Sequence, residues 1–232
     1  MFKLDYIGSE LELFSCAKNW KRYFASFLSK YIQGDVLEVG AGIGSNTELL
    51  FSPSVSSWSC LEPDPELLQN ARNRNSANSK CRFIQGTSND LKNDQLFDVI
   101  LYIDVLEHIE RDKDEILRVQ RFLKNGGHII ILSPAHNFLY SPFDKSVGHF
   151  RRYNKKSLRL AFNEALICQK LIYLDALGFF LSLANKTISK QSNPTYAQII
   201  FWDKIVVPLS KIVDFVLAYH FGKSILGIWR KV

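Results

Sequence analysis

The chain has 232 residues, 47% of them apolar and 22% charged, with a net charge of +6, which fits one compact globular domain with room for an extra subdomain. That charge is compatible with an anionic substrate or a membrane surface and demands neither. Cys16, Cys60, Cys81 and Cys168 are scattered without a CxxC pair, and no uncharged apolar run reaches bilayer length, which argues against a zinc site, a disulfide scaffold or a membrane span and for a reducing cytoplasm.

Residues 9–32 set Leu13, Phe14, Ala17, Trp20, Phe24, Phe27, Leu28 and Tyr31 at helical spacing, with Lys18, Lys21, Arg22 and Lys30 largely off that stripe. One amphipathic helix packed over a sheet is predicted; the alternative makes Trp20 and Tyr23 part of a lid over a ligand. Gly34 then ends the segment. In DVLEVGAGIGSNTELLFSPSVSSWSCLEPD, residues 35–64, Val36, Leu37 and Val39 form a short buried strand, followed by the turn Gly40-Ala41-Gly42-Ile43-Gly44. Alternating glycines let the backbone turn tightly and a ligand lie against bare main chain. A helix over about Asn46 to Leu50 offers its N-terminal amides to that ligand, and Trp58 to Leu61 form a second strand closed by Glu62. An acid at that strand end can accept both hydroxyls of a ribose, so the unit binds a nucleoside.

PDPELLQNARNRN opens a helix at Pro65. Cys81 to Ile84 form a third strand, closed by the polar turn from Gln85 to Leu91. Val99 to Ile103 form a fourth, with Asp104, Glu107 and His108 at its carboxyl end, the edge where doubly wound sheets bind ligands. RDKDEILRVQRFLKNGG reads as a helix stopped by Gly126-Gly127, and His128 to Leu132 as a fifth strand. The segment Phe138 to Leu158 is long, aromatic and poor in helical periodicity, so it is read as a substrate-facing loop. Its chemical content is His149, Arg151, Arg152 and Tyr153: the two guanidinium groups suit a phosphate or carboxylate on the acceptor, or else pair with surface acids.

A helix over 156–166 and a sixth strand over 167–175 follow, and 224–232 is the seventh strand. Between them, 177–222 is strongly apolar, with helices over 177–188 and 197–219, the second interrupted near Pro208. Its wide apolar face must be covered by the sheet's flank, a second subunit, a lipid chain or a membrane surface. Internal packing or a homodimer is preferred to membrane contact, because the acids at 203 and 214 interrupt a basic face.

With Glu38 ahead of GxGxG, Glu62 closing the next strand, and Ser45 where a dinucleotide fingerprint has its third glycine, the sequence resembles the class I S-adenosylmethionine (SAM)-dependent methyltransferases. The resemblance implies an α/β fold: a doubly wound, mostly parallel seven-stranded sheet of the Rossmann-like methyltransferase type. It makes 1–232 a single domain, with 9–32 as a cap, 35–175 as the SAM-binding core and 177–222 as a helical insertion before the last strand. SAM is the implied cofactor, held by Glu38, Gly40, Ala41, Gly42, Gly44, Glu62, Pro63, Thr87, Ser88 and Asp104. The family usually has an Asp directly after the Gly of the third turn, where this chain has Thr87, so Asn89 or Asp90 stands as an alternative adenine contact.

Methyl transfer from a sulfonium is an in-line displacement that needs a base when the acceptor is a hydroxyl. The carboxyl edge offers Asp104, Glu107, His108, His136 and His149. His149 is the preferred base, with His108 second, and Arg151, Arg152 and Tyr153 are read as binding the substrate. Asp104, Glu107, His108 and His149 also resemble the metal site of small-RNA 2′-O-methyltransferases and the acid-rich pattern of ubiquinone-pathway O-methyltransferases, which implies a divalent cation as an alternative. Over nearly its whole length the chain is similar to a bacterial family found near polysaccharide and lipid-linked glycan genes. The resemblance rests on AKNWKRY, VLEVGAGIGSNTELL, CLEPDPELL, ILYIDVLEHIERDKDE, LSPAHNFLYSPFDKSVGHFRRY, FWDKIVVPLSK and GKSILGIW. It implies a glycan or other small polar acceptor, a glycosyltransferase partner, and a cytoplasmic location, peripheral to the inner membrane if 177–222 meets lipid. The other reading is a non-catalytic SAM-binding partner of such a transferase. Nucleic acid is set aside, since the basic residues are dispersed and no aromatic platform is evident.

Overall fold

The structure, a computed structural model, describes residues 9–92, 94–185 and 194–232. Two helices, α1 (Ser9–Ser15) and α2 (Lys18–Leu28), precede strand β1 (Gly34–Val39). Next come α3 (Ser45–Leu50), β2 (Val55–Glu62), α4 (Pro65–Arg74), β3 (Cys81–Gln85) and β4 (Phe97–Ile103). They are followed by α5 (Asp112–Val119), β5 (Leu123–Pro134), the short helices α6 (Pro142–Ser146) and α7 (Lys155–Arg159), and β6 (Leu166–Leu174). The insertion holds α8 (Ala176–Ala184), α9 (Tyr196–Phe201) and α10 (Val207–Val216), and β7 (Ser224–Lys231) closes the chain.

The seven strands lie in the order β3-β2-β1-β4-β5-β7-β6, with β7 antiparallel to both neighbours and every other pair parallel. This is the expected doubly wound sheet. Successive residues of β1 point to opposite faces, so Val36 joins one core with Trp58, Leu101 and Ile130, while Leu37 joins the other with Ile100, Ile116 and Trp229. The order reverses between β1 and β4, which places a crevice at the carboxyl ends of β1, β2 and β4.

Several boundaries differ from the sequence reading, each for a tertiary reason. The helix expected over 9–32 breaks at Cys16 and Ala17, because the new amino terminus of α2 is capped from the insertion: the backbone N–H groups of Asn19 and Trp20 donate to the Asp203 carboxylate at 3.2 and 2.8 Å. Gly126-Gly127 does not stop a helix. That helix ends at Val119, and both glycines lie inside β5, where a Cβ on Gly127 would stand 2.8 Å from the Asp98 carbonyl oxygen. The segment Phe138 to Leu158 is not an open loop. It carries α6 and the start of α7, and a bridge joins Tyr153 to Ala135. The helix expected to run from 156 to 166 is shorter, because Leu166 already pairs with Lys231 in the sheet.

In the insertion, α9 and α10 are joined by a π-helical turn, Trp202–Val206, just ahead of Pro208. Proline has no N–H to continue the α ladder, and a wider turn absorbs the mismatch. The expected helix 177–188 is α8 as far as Ala184; residues 186–188 lie outside the described residues. Among the described residues no helix is long and apolar enough to cross a membrane.

Candidate functional site

A cavity of about 2000 Å3 opens at the carboxyl edge of the sheet, more than a typical ligand pocket and enough for a nucleoside and an acceptor together. Gly40, Ala41, Gly42, Glu62, Pro63, Thr87, Ser88 and Asp104, all expected to bind the cofactor, lie in its wall. Gly40 and Gly42 take the left-handed conformation, φ +64° and +53°, which glycine adopts without steric cost. The Glu62 carboxylate is buried and held twice, by the Gly42 N–H at 2.8 Å and the Asp64 N–H at 3.1 Å. Each oxygen keeps a lone pair for a ribose hydroxyl.

Two expected cofactor residues stand behind this wall. Glu38 is buried, accepts from the Thr47 hydroxyl and from Trp58 Nε1 (2.9 Å for the latter), and is not part of the cavity lining. Gly44 packs α3 against α4: a Cβ there would lie 2.9 Å from Ala71 Cα. Both serve the turn's support rather than its surface. At the third turn, the Ser88 hydroxyl donates to Glu115 at 2.6 Å and Asp90 is consumed by Thr87, whose N–H and hydroxyl both donate to it. Asn89 lies in the cavity wall.

Asp104 follows β4 in a left-handed conformation, φ +54°, a strain that surrounding structure must hold in place. Its side chain is open to the cavity yet enclosed by protein, and this burial pushes its carboxyl up to about 6, against the pull of His149, Lys21 and Lys223. The turn Leu106–His108 then brings Glu107 and His108 under the segment that carries His149, and the Phe150 N–H donates to the Glu107 carbonyl at 2.9 Å. The His108 and His149 rings meet edge to face with centroids 4.5 Å apart. Burial and the neighbouring His149 push His108 down to about 4, against a hydrogen bond with the Val147 backbone, so His108 is neutral near pH 7. His149 Nδ1 contacts Asp144 Oδ1 at 2.8 Å, and its Nε2 lies 4.0 Å from Glu107 Oε1.

Glu107 is fully buried. Ser133 donates to one oxygen at 2.8 Å, and the other, Oε1, has no hydrogen-bond partner. Burial, with Asp104 and Asp144 nearby, raises its pKa well above the usual carboxylate range. Glu107, His108 and His149 each present a ligand atom within 4.8 Å of the others, a carboxylate with two imidazoles that suits a divalent cation. Asp104, the fourth residue expected in that set, stands outside this group.

The expected guanidinium clamp does not face the cavity. Arg152 forms a two-pronged pair with buried Asp144, both contacts 2.8 Å, while Arg151 pairs with Asp112 at 2.9 Å and donates to the Glu110 carbonyl. Tyr153 is buried and donates to Asp112 at 2.8 Å. All three fasten the segment onto the domain. His136 is also absent from the cavity lining and stacks on Tyr173 at 4.7 Å. Trp20 lines the cavity, as the lid reading asked, but Tyr23 is turned to Asp214.

Two residues were missed by sequence reasoning. Asp144, which orients His149, had no signal beyond an acid five residues before a histidine. Lys21 looked like part of a solvated face, but its amine donates to Ser45 in the cavity wall, and burial lowers its pKa to about 8.

Residues 37–131 match a family model described as a methyltransferase domain. A demethylmenaquinone methyltransferase of Tropheryma whipplei is 27% identical over 124 residues, 51% of this chain and 49% of its own length. A ubiquinone biosynthesis O-methyltransferase of Rickettsia typhi is 31% identical over 98 residues, 41% and 39% of the two chains. The chain thus spans about half the length of these relatives or less. Among solved structures, a chain from the complex of the Haloferax volcanii Trm112 methyltransferase activator with a methyltransferase superposes with a TM-score of 0.68 at 17% identity, over 97% of this chain and 94% of that one. The family match over residues 37–131 is to a methyltransferase domain, and the sheet order and the glycine turn with its two flanking acids agree with the SAM-dependent form of that domain.

Proposed function

We propose that this chain is an O-methyltransferase, moving the methyl group of SAM to a hydroxyl of a small polar acceptor. The observation that carries this reading is His149 on the cavity wall, its ring held from behind by buried Asp144. An Nδ1–H held by the carboxylate leaves Nε2 as the proton acceptor. The acceptor oxygen forms its bond to the methyl carbon as the carbon–sulfur bond breaks, and the hydroxyl proton passes to His149 Nε2. Neutral His108, with its depressed pKa, is the poorer base.

A glycan or lipid-linked sugar hydroxyl is the acceptor implied by the end-to-end sequence resemblance, while the name of the ubiquinone biosynthesis O-methyltransferase relative supports a quinol hydroxyl instead. Isotope-labelled SAM incubated with glycan, sugar-nucleotide and quinol pools, read by mass spectrometry, separates these. Label on an acceptor oxygen supports the proposal. Heat of SAM binding without label in any pool would instead support a non-catalytic partner of a glycosyltransferase.

The unpartnered Glu107 Oε1 beside two imidazoles favours a second form of the same reaction, in which Glu107, His108 and His149 hold a divalent cation. When bound, such an ion would acidify the acceptor hydroxyl and orient it. Loss of turnover with EDTA and its recovery with Mg2+ or Mn2+ is the expected result; turnover indifferent to EDTA removes this form.

A further inference from the structure

The insertion between β6 and β7 turns its acids inward. Asp203 caps α2 as described, and Asp214 accepts from the Tyr23 hydroxyl and from the N–H groups of Asp175 and Ala176 at 2.7 to 2.8 Å. Both are buried, and in sequence they are the sole acids between 176 and 223, against Lys186, Lys190, Lys204, Lys211 and Lys223. The acids expected to interrupt a basic face therefore do not do so. Among the described residues of the insertion, no acid reaches the surface.

One side of the insertion closes the core through Ile199, Trp202, Val206 and Val207. The opposite side is apolar and open. Phe201, Ile205, Leu209, Ile212, Phe215 and Val216 recur at steps of one to four residues along α9, the π turn and α10, from 50% exposed at Ile205 to 73% at Phe215. Phe180 on the adjoining α8 is exposed as well. Lys204 is exposed within this stretch, and α2, packed against α10, adds exposed Lys18 and Arg22 and contains no acid. Contiguous exposed apolar surface of this kind marks an interaction site.

We propose that this outward face docks on the anionic surface of a lipid bilayer, its apolar side chains at the acyl boundary and its lysines among the headgroups. On the other side α1, packed against α9, adds the exposed acid Glu12, so the flank is mixed in sign, but the apolar face with exposed Lys204 and no exposed acid of its own has the composition of an interfacial helix. A second copy of the chain fits less well. A two-fold contact through this patch would set Lys18, Arg22 and Lys204 of one copy near those of the other, and among the described residues Glu12 on α1 is the one exposed acid beside the insertion to answer them. The face also adjoins the cleft, since α2 packs on α10 and supplies Trp20 and Lys21 to the cavity wall.

The test is co-sedimentation of the full chain with phosphatidylcholine vesicles, with and without phosphatidylglycerol, and is independent of methyl transfer. Binding to the anionic vesicles that weakens with salt is expected. The double variant Ile212→Ser, Phe215→Ser should lower that affinity at least about tenfold, with an unchanged melting temperature because both residues are exposed. Failure to bind either vesicle overturns the proposal. So does a stable dimer in sedimentation velocity that the double variant splits into monomers while vesicle binding is absent.

Discussion

Gly42 donates its backbone N–H to Glu62 Oε2 across 2.8 Å, tying the turn after β1 to the carboxyl end of β2. The same carboxylate therefore shapes the glycine turn and faces the cavity. Glu62→Gln keeps the volume but replaces one accepting oxygen with a donor, so either the turn or a ribose hydroxyl loses its partner. A loss of about 1–3 kcal/mol in SAM binding is expected, roughly five- to 150-fold in Kd. Titration calorimetry checks it, and an affinity within twofold of the parent would remove Glu62 from the cofactor site.

His149 lies on the wall of the same cavity, with Asp144 fixing its ring at 2.8 Å. His149→Ala should lower kcat by about 10²–10⁴, the range for a lost general base, while SAM affinity stays within about twofold. A fall in SAM affinity with kcat preserved would mean that the imidazole serves the cofactor instead of the acceptor.

Arg152 was read from the sequence as a substrate clamp, yet both its contacts with Asp144 are internal and the pair is buried. Arg152→Met leaves the Asp144 carboxylate without its bidentate cation in a buried setting, which costs about 3–5 kcal/mol. A lower melting temperature is the expected outcome, read by thermal unfolding without any acceptor present. Unchanged stability with a raised acceptor KM would restore the clamp.

The fold was legible because its signals are local. Val36, Leu37 and Val39, the alternating glycines and the acid after β2 each act within a few residues, and all seven strands lie close to where hydrophobic patterning put them. Glycine required by φ at 40 and 42 announces itself; Gly127, required by the Asp98 carbonyl across a strand, reads in sequence like a helix stop. The candidate site was half legible. Glu107, His108 and His149 could be named as chemical types. What set their roles was pairing across space: Asp144 under His149, Asp112 with Arg151, Asp203 at the start of α2. No periodicity encodes such partners, and an acid looks equally solvated whether it meets water or a buried amide.

Glu38 gives a prediction about pH. Burial pushes its carboxyl from 4.5 up to about 7, opposed by hydrogen bonds from Thr47 and Trp58 and by the charge of Lys21. One of its oxygens, Oε1, is buried without a hydrogen-bond partner. A folded-state pKa above the unfolded value means that the native chain holds this proton more tightly. The contribution is therefore complete below the unfolded pKa, near 4.5, and is lost as pH rises through about 7. Over that window the loss is on the order of 3 kcal/mol. Glu38→Gln keeps an accepting oxygen for Thr47 and Trp58, sets an amide where Oε1 now lacks a partner, and removes the titration. Denaturant unfolding of both proteins at pH 5 and pH 8 should show the parent losing more stability between the two than the variant does. Parallel losses would mean that the carboxylate is ionised in the folded chain throughout, with its charge answered by Lys21 rather than suppressed by burial.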